Sequence, residues 1–421
     1  MTRPAGAASP MVRSVGRARR IMLYSHDTYG LGHLRRNLRI ATHLLRSAPE
    51  LQVVLVSGSP VAGYFPAPPG LSVVKLPSVR KVGADQYRPL NGRIDISLVR
   101  RARTAIMVDV VRRFRPDVLL VDHSPAGMNG ELLDVFATVR DHSPATRVVL
   151  GLRDILDDPQ TVVRTWTDQD VYRLLGEVYD HVVVYGSRDI FDVGHHYRLP
   201  ARVANRLLYA GYIAPGAGPD RGDAGGSRPD GPYLLATAGG GGDGVAVLTA
   251  AMEAGATLGM ATKVVTGPLI DDDAFASLQA RAEQSSGVEL VRFHPQMQPA
   301  MAAASAIITM GGYNSLCEAI SAGVPTVVVP RSQPRLEQTI RAGLFSDRGL
   351  VSMVAAGPDL ATRLARAVLA GASRPGAASL DFGGLDRLAS FLLAGRSGQA
   401  AAARRGGDRP EGERTSERLP A

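Results

Sequence analysis

Residues 306–330 read AIITMGGYNSLCEAISAGVPTVVVP, and the fold follows from them. Ala306–Thr309 is a short β-branched run with the composition of a buried strand. Gly311 and Gly312 interrupt it. A helix is expected from about Asn314 to Ser321, stopped by Gly323 with Pro325 just beyond. Thr326–Val329 is the next strand, and Pro330 closes it. Strand, loop, helix and strand in this order make one unit of a parallel α/β sheet. The adjacent glycines let a ligand approach the backbone, and the following helix offers unpaired N–H groups and a partial positive charge, which suits a diphosphate. Glu318 lies four residues past Asn314, about 6 Å along the helix axis, where a carboxylate suits paired hydroxyls such as those of a ribose. Without a ligand, the same residues would be a glycine turn and a surface glutamate.

Outward from this unit, strands and helices alternate. Arg20–His26 is the first strand, and 27–32 (DTYGLG) is a glycine-punctuated loop. From His33 to Leu45, Leu34, Leu38, Ala41 and Leu45 recur at helical spacing. Strands follow at Val53–Val56 and Val73–Leu76, and then a long loop carrying Arg80, Lys81 and Tyr87. A helix is expected over Ile94–Phe114, a strand over Asp117–Asp122, and a helix over Glu131–Arg140. Arg147–Asp154 is the next strand and Val162–Tyr179 the next helix, before strands at His181–Tyr185 and Leu207–Tyr209. This alternation predicts a Rossmann-like domain over 19–213. Residues 214–232 hold six glycines and four prolines and read as a linker. A second α/β domain over 233–394 ends in an amphipathic helix, Leu385–Leu393. The tails, 1–18 and 395–421, are expected to be disordered.

Composition narrows the function. The net charge is +9, but residues 1–20 carry five arginines and no acid, and residues 395–421 six arginines against four acids. The tails therefore hold seven of the nine charges. With aromatics at 5% and no interleaving of basic and aromatic residues, a nucleic-acid role is not expected. One cysteine, Cys317, excludes an intramolecular disulfide and suits a reducing compartment. Within its helix it reads as a small core residue rather than a nucleophile. No apolar run reaches the ~18 residues of a spanning helix, and the N-terminus lacks a signal-peptide core. A soluble, cytoplasmic protein is expected, with peripheral contact at the inner face of a membrane left open. Asp271–Asp273 look like a DxD metal motif, but they immediately precede a helix, where acids act as a cap. No metal and no cofactor are inferred.

The pattern GG-x-N-S-x-x-E-A-x-x-x-G-V-P, followed by Pro330 and Glu337-Gln338, resembles the nucleotide-sugar site of GT-B glycosyltransferases. The nearest type is the family 28 C-terminal domain, a group that includes the lipid II-forming N-acetylglucosaminyltransferase and the plastid galactolipid synthases. A bacterial group known only as predicted glycosyltransferases is closer still. The resemblance runs from Arg20 to Leu393 and is densest over 291–349. It implies a GT-B fold: two Rossmann-like domains with a cleft between them and a C-terminal helix crossing back onto the first.

On this resemblance the second domain holds a nucleoside-diphosphate sugar, with uridine as the expected base. Gly239, Gly240 and Gly241 would border the donor phosphates together with Gly311, Gly312, Asn314 and Ser315. The backbone near His294 would border the base, Glu318 the ribose, and Glu337 and Gln338 the sugar hydroxyls. His33 matches the Gly-His of the family at the mouth of the first helix and would be the general base, a role suited to imidazole. His26 and Asp27, on the same rim, compete for it. Asp122, at a strand end where open parallel sheets bind ligands, would orient the histidine as it does in some plant and antibiotic-pathway enzymes. Arg153 and Asp154 could line the acceptor side. Arg35, Arg36 and Arg39 suit an acceptor phosphate or the solvated face of the first helix. The run MGGYNS lacks the Arg-Ser that precedes the glycine in the peptidoglycan enzyme. Transfer to an acceptor hydroxyl (lipid, glycan or small molecule), metal-independent and inverting, is the expected reaction. A nucleotide-sugar hydrolase or 2-epimerase, or a non-catalytic nucleotide-sugar-binding regulator, is the alternative.

Overall fold

A computed structural model describes residues 18–26, 31–65, 67–83, 86–90, 92–214, 231–240, 243–294, 297–371 and 380–395. The tails expected to be disordered, apart from Ala18 and Gly395, most of the expected linker, Asp27 and Gly241 lie outside the described residues.

The first sheet has seven strands, all parallel. Their spatial order is Leu71–Lys75, Gln52–Ser57, Arg20–Ser25, Val118–Asp122, Arg147–Arg153, His181–Tyr185 and Leu207–Tyr209. Helices cover both faces, so the central strands are apolar throughout: VLLVD at 118–122 is buried at every position. The second sheet has six parallel strands, ordered Val288–Val291, Ala261–Val265, Tyr233–Thr237, Ala306–Thr309, Thr326–Val328 and Ser352–Met353. In each sheet the order reverses beside the first strand. Arg20–Ser25 neighbours Val118–Asp122 with Tyr24 opposite Val121, and Tyr233–Thr237 neighbours Ala306–Thr309 with Thr237 opposite Thr309. At such a reversal the connecting helices leave to opposite sides and a crevice opens at the carboxyl ends of the strands.

The two crevices face one another. Asn314 Nδ2, past the end of a second-sheet strand, donates to the Gly32 carbonyl, past the end of a first-sheet strand, at 2.9 Å. A single apolar cluster runs across this junction, from Leu34 and Ile40 of the first helix (Gly32–Ser47) to Leu316, Cys317 and Ile320 of the helix Tyr313–Ser321. Cys317 is a fully buried core residue, as expected. The last helix, Gly384–Leu393, crosses back: the Ala18 amide donates to Leu393 O at 3.1 Å, and Arg147 Nη2 to Leu392 O at 2.6 Å.

Two expectations of local structure need correction. The long loop after the third strand contains an antiparallel hairpin, Val79–Gly83 with Gln86–Pro89. The helix expected over Val162–Tyr179 is two helices, Pro159–Asp168 and Val171–Glu177, because Asp170 sits in the left-handed region at φ 53° and ends the continuous turn. Asp271 does cap the helix Asp272–Glu283, accepting from the Asp273 amide at 3.0 Å.

Candidate active site

The site is built on two glycine loops that leave the carboxyl ends of two adjacent parallel strands of the second sheet. Gly311 adopts φ 85°, and a Cβ there would press on Val328 Cγ1 at 3.1 Å. Glycine is therefore required for the chain to turn from Thr309 into the helix at Tyr313. Gly239 follows Thr237, and its α-carbon faces Ser315 Oγ, so the two loops border one space. Gly240 is braced from a third segment: its carbonyl accepts from the Leu269 amide at 3.1 Å. Gly267, at φ 95°, packs so closely that a Cβ would land on the Gly239 and Gly240 backbone. The sequence reading did not single out Gly267, although TGP at 266–268 directly after a strand has the form of a third crevice loop. Arg331 ties the set together, donating to Asp243 Oδ2 at 2.7 Å and lying 3.4 Å from Glu337 Oε1.

Glu337 and Gln338 open the helix Glu337–Ser346 beneath these loops. Glu337 is 3% exposed, and its Oε2 has no hydrogen-bond partner. Turned so that its nitrogen meets the Met310 carbonyl, the Gln338 amide accepts from Arg331 Nε at 3.2 Å. His294 follows the strand Val288–Val291 at the edge of the same sheet. Glu318 is 1% exposed, with Oε1 accepting from Arg35 at 2.7 Å and Arg39 at 2.8 Å, both on the first helix of the opposite domain. Its Oε2, Arg39 Nη1 and Asn314 Oδ1 are buried without partners. The arginine pair lowers the Glu318 carboxyl against the upward push of burial. Arg35 and Arg39 are thus neither a solvated face nor free for an acceptor phosphate. Their partner comes from the other domain.

Across the junction, His33 Nδ1 lies 2.6 Å from Asp122 Oδ2. A carboxylate oxygen at that distance requires Nδ1 to carry the hydrogen, which leaves the Nε2 lone pair as the proton acceptor. His33 keeps 20% of its side chain exposed, whereas Asp122 is fully buried. Burial lowers the His33 pKa, Asp122 raises it, and Arg36 and Arg153 lower it, with a net downward result. Burial alone would raise the Asp122 carboxyl, but Arg36 and His33 hold it well below the usual carboxylate range. Arg36 is 1% exposed and grips Asp122 through Nη2 at 2.6 and 2.8 Å and Nε at 3.2 Å. The expectation of a solvated or phosphate-binding Arg36 is corrected accordingly. Its i, i+3 spacing from His33 puts both on one helix face, a signal that the sequence did contain.

Of the competing residues, His26 sits differently and Asp27 lies outside the described residues. His26 is 7% exposed, and its Nδ1 lies 3.2 Å from Tyr24 Oη, whose hydrogen goes to Glu131 Oε1 at 2.7 Å. It thus reaches that carboxylate only through a tyrosine. His123, missed in the sequence, walls the site with its ring 5.0 Å from that of His33. Burial, with Arg153 next in size, holds it well below the ordinary histidine range. Asp154 does not line an acceptor face, because Arg341 of the second domain donates to it at 2.7–3.1 Å with both side chains buried. Arg153 is half-buried and its Nε is unpartnered. Among the described residues no group of three or more His, Cys, Asp or Glu side chains could hold a metal ion.

The chain matches the family model described as glycosyltransferase family 28 C-terminal domain over residues 244–378. That span contains His294, Gly311, Gly312, Asn314, Ser315, Glu318, Glu337 and Gln338. No curated protein matches the chain. Among solved structures, the calicheamicin glycosyltransferase CalG4 is 18% identical, with TM-score 0.55, 93% of this chain and 100% of that one covered. MurG of Acinetobacter baumannii is 14% identical, with TM-score 0.52 and coverage of 89% and 99%. A putative UDP-N-acetylglucosamine 2-epimerase of Listeria monocytogenes is 12% identical, with TM-score 0.60 and coverage of 94% and 99%. Likeness at these identities establishes the shared fold, and the family model adds the character of the second domain. The chain has the GT-B fold, matches the family 28 C-terminal domain model over residues 244–378, and resembles the family 28 glycosyltransferases.

Proposed function

We propose that this protein moves a sugar from a nucleoside-diphosphate sugar, UDP-linked, to an acceptor hydroxyl, with inversion and without a metal ion. The observation that carries the reading is the His33–Asp122 pair at 2.6 Å, one residue from Gly32, whose carbonyl meets Asn314 of the donor-side helix. His33 Nε2 takes the acceptor proton as the hydroxyl oxygen attacks the anomeric carbon. The bond to the diphosphate oxygen breaks, and its electron pair leaves with the nucleotide. Backbone N–H groups of the two glycine loops and the start of the helix Tyr313–Ser321 meet the charge gained by the leaving group. Gly239, Gly240 and Gly241, with Gly311, Gly312, Asn314 and Ser315, hold the diphosphate. The backbone near His294 borders the base, the free Glu318 Oε2 takes the ribose, and Glu337 and Gln338 take the sugar hydroxyls.

A panel of nucleotides in thermal shift ranks the donors, since binding stabilises by RT ln(1 + [L]/Kd). Nucleotide release that requires an added acceptor supports transfer. Release from the nucleotide sugar alone favours a hydrolase, and interconversion of the sugar without release favours a 2-epimerase. The fold shared with the putative epimerase keeps the latter reading alive. Binding without turnover would leave a regulator. EDTA should leave activity intact, and a strict requirement for magnesium or manganese would overturn the metal-free mechanism. Residues 19–213 serve as the acceptor domain and 233–394 as the donor domain in this reading. No helix among the described residues is long and apolar enough to cross a membrane. A cytoplasmic enzyme, with an acceptor reached in solution or at the membrane face, fits the proposal.

A further inference from the structure

We propose that Arg36 is a positioning residue for the base: it clamps Asp122 so that His33 is held with Nε2 open to the acceptor, and it withholds part of the carboxylate's charge from the ring. The inference rests on the reading of His33 as the base. Arg36 lies one helical turn from His33, and its fork meets both Asp122 oxygens. Its Nη2 also lies 3.0 Å from His33 Nδ1. Two donors, Nη2 and Nδ1–H, therefore converge on Asp122 Oδ2, and the carboxylate cannot turn away from either without losing a hydrogen bond.

The guanidinium is held from both domains. Its Cζ lies over the Tyr185 ring of the first sheet, 5.5 Å from the centroid, and over the ring of Tyr313, the first residue of the donor-side helix, at 5.9 Å. The Tyr313 hydroxyl accepts from the Ile213 amide at 3.0 Å, which fixes that ring at the junction. A planar fork suits this place and a lysine ammonium does not, because only the fork reaches both Asp122 oxygens through separate N–H groups.

The charge balance follows. Before reaction, neutral His33, ionised Asp122 and Arg36 sum to zero. When Nε2 takes the acceptor proton, Nδ1–H stays on the ring, Asp122 stays ionised, and the set carries one positive charge. A His–Asp pair alone would hold the proton more tightly. Arg36 opposes this. The other groups facing the ring are Arg153 from the next strand end, His26 after the first strand and His123 after Asp122. Tyr87 stands against His26. All of them remain in an Arg36 variant, so a change there reports Arg36.

The test is an NMR titration of histidine-labelled full-length protein, with the His33 signal assigned by its loss in His33→Gln. The native ring should carry its neutral proton on Nδ1 and titrate below the ordinary value of about 6.5. In Arg36→Gln the protonation constant should rise at least ~10-fold, as expected for losing a cation beside an ion pair, and the ascending limb of the pH–rate profile should move with it. Arg36→Lys should keep most of the charge effect and lose turnover. An Arg36→Gln ring that titrates as the native one does would overturn the proposal. If that variant does not fold, the native protein decides: a proton on Nε2, or titration at or above 6.5, overturns it. His33→Ala with full turnover would remove the base assignment and leave the coupling of Arg36 to the ring standing on the titration.

Discussion

His33 differs from its neighbours in having both a direct carboxylate partner and an exposed edge. Its replacement by alanine should cut turnover by roughly 10²–10⁴-fold while nucleotide affinity is kept, since the general base contributes to the chemical step. Asp122→Asn should cost less if it only orients the ring. The base is active when unprotonated, and burial moves its pKa down. The ascending limb of the pH–rate profile should therefore lie below the ordinary ~6.5 and vanish in His33→Ala. Near-normal turnover in His33→Ala with loss in His26→Ala or Asp27→Ala would move the base along the rim. Glu318 needs a different test, because Arg35 and Arg39 already occupy Oε1 and their charge would act on any phosphate. A nucleotide lacking both ribose hydroxyls should bind at least ~10-fold more weakly than its parent, as one charge-assisted hydrogen bond is worth about a decade or more. In Glu318→Ala that difference should disappear. A difference that persists would take the ribose away from Glu318.

At the scale of elements, the donor side depends on three loops leaving one sheet edge together. Gly267 carries the closest approach, and a methyl group there would push on the Gly239–Gly240 backbone. Its positive φ adds roughly 1–2 kcal/mol for any L-residue. Gly267→Ala should lower the melting temperature by about 2–8 °C for a domain of this size and weaken nucleotide binding, because the loop that takes the phosphates must shift. A variant with native stability and native affinity would mean that the glycine loop does not border the ligand. The first helix has a comparable double duty. Its Leu34, Ile40, Ala41 and Leu44 face the core, while residues 33 and 36 turn to Asp122 and residues 35 and 39 turn to Glu318.

At the scale of the whole molecule, the junction between the sheets is tied by buried charge as well as by apolar contact. Arg341 and Asp154 are 0% and 1% exposed and joined at 2.7 Å. Arg341 also donates to Ile155 O at 3.1 Å and to the Gly311 carbonyl at 3.3 Å. Arg341→Met would leave Asp154 buried without its cation. Truncating one member of a buried pair costs about 3–5 kcal/mol, and denaturant unfolding should register that loss. A change under 1 kcal/mol would mean that water reaches Asp154 and the junction is looser than its burial implies. Because Arg341 holds the Gly311 carbonyl, the same variant should also weaken nucleotide binding.

The two sheets, the glycine loops and the final helix were legible in the chain, because each is written in local periodicity: apolar runs for doubly covered strands, helical spacing from His33 to Leu45, glycines where φ is positive. Asp122 at a strand end and His33 at a helix mouth were legible for the same reason, as positions rather than as a pair. The break at Asp170 and the hairpin at 79–89 were not, since a left-handed residue and a two-stranded pairing leave little trace in apolar spacing. The partners of the charged residues were also beyond local reading. Arg36 and Asp122 are 86 residues apart, Arg35 and Glu318 283, and Arg341 and Asp154 187. Helical spacing tells which arginines share a face, but whether that face meets water, a carboxylate or another domain is set only when the sheets pack. Burial then turns an ordinary surface charge into one that must be paired.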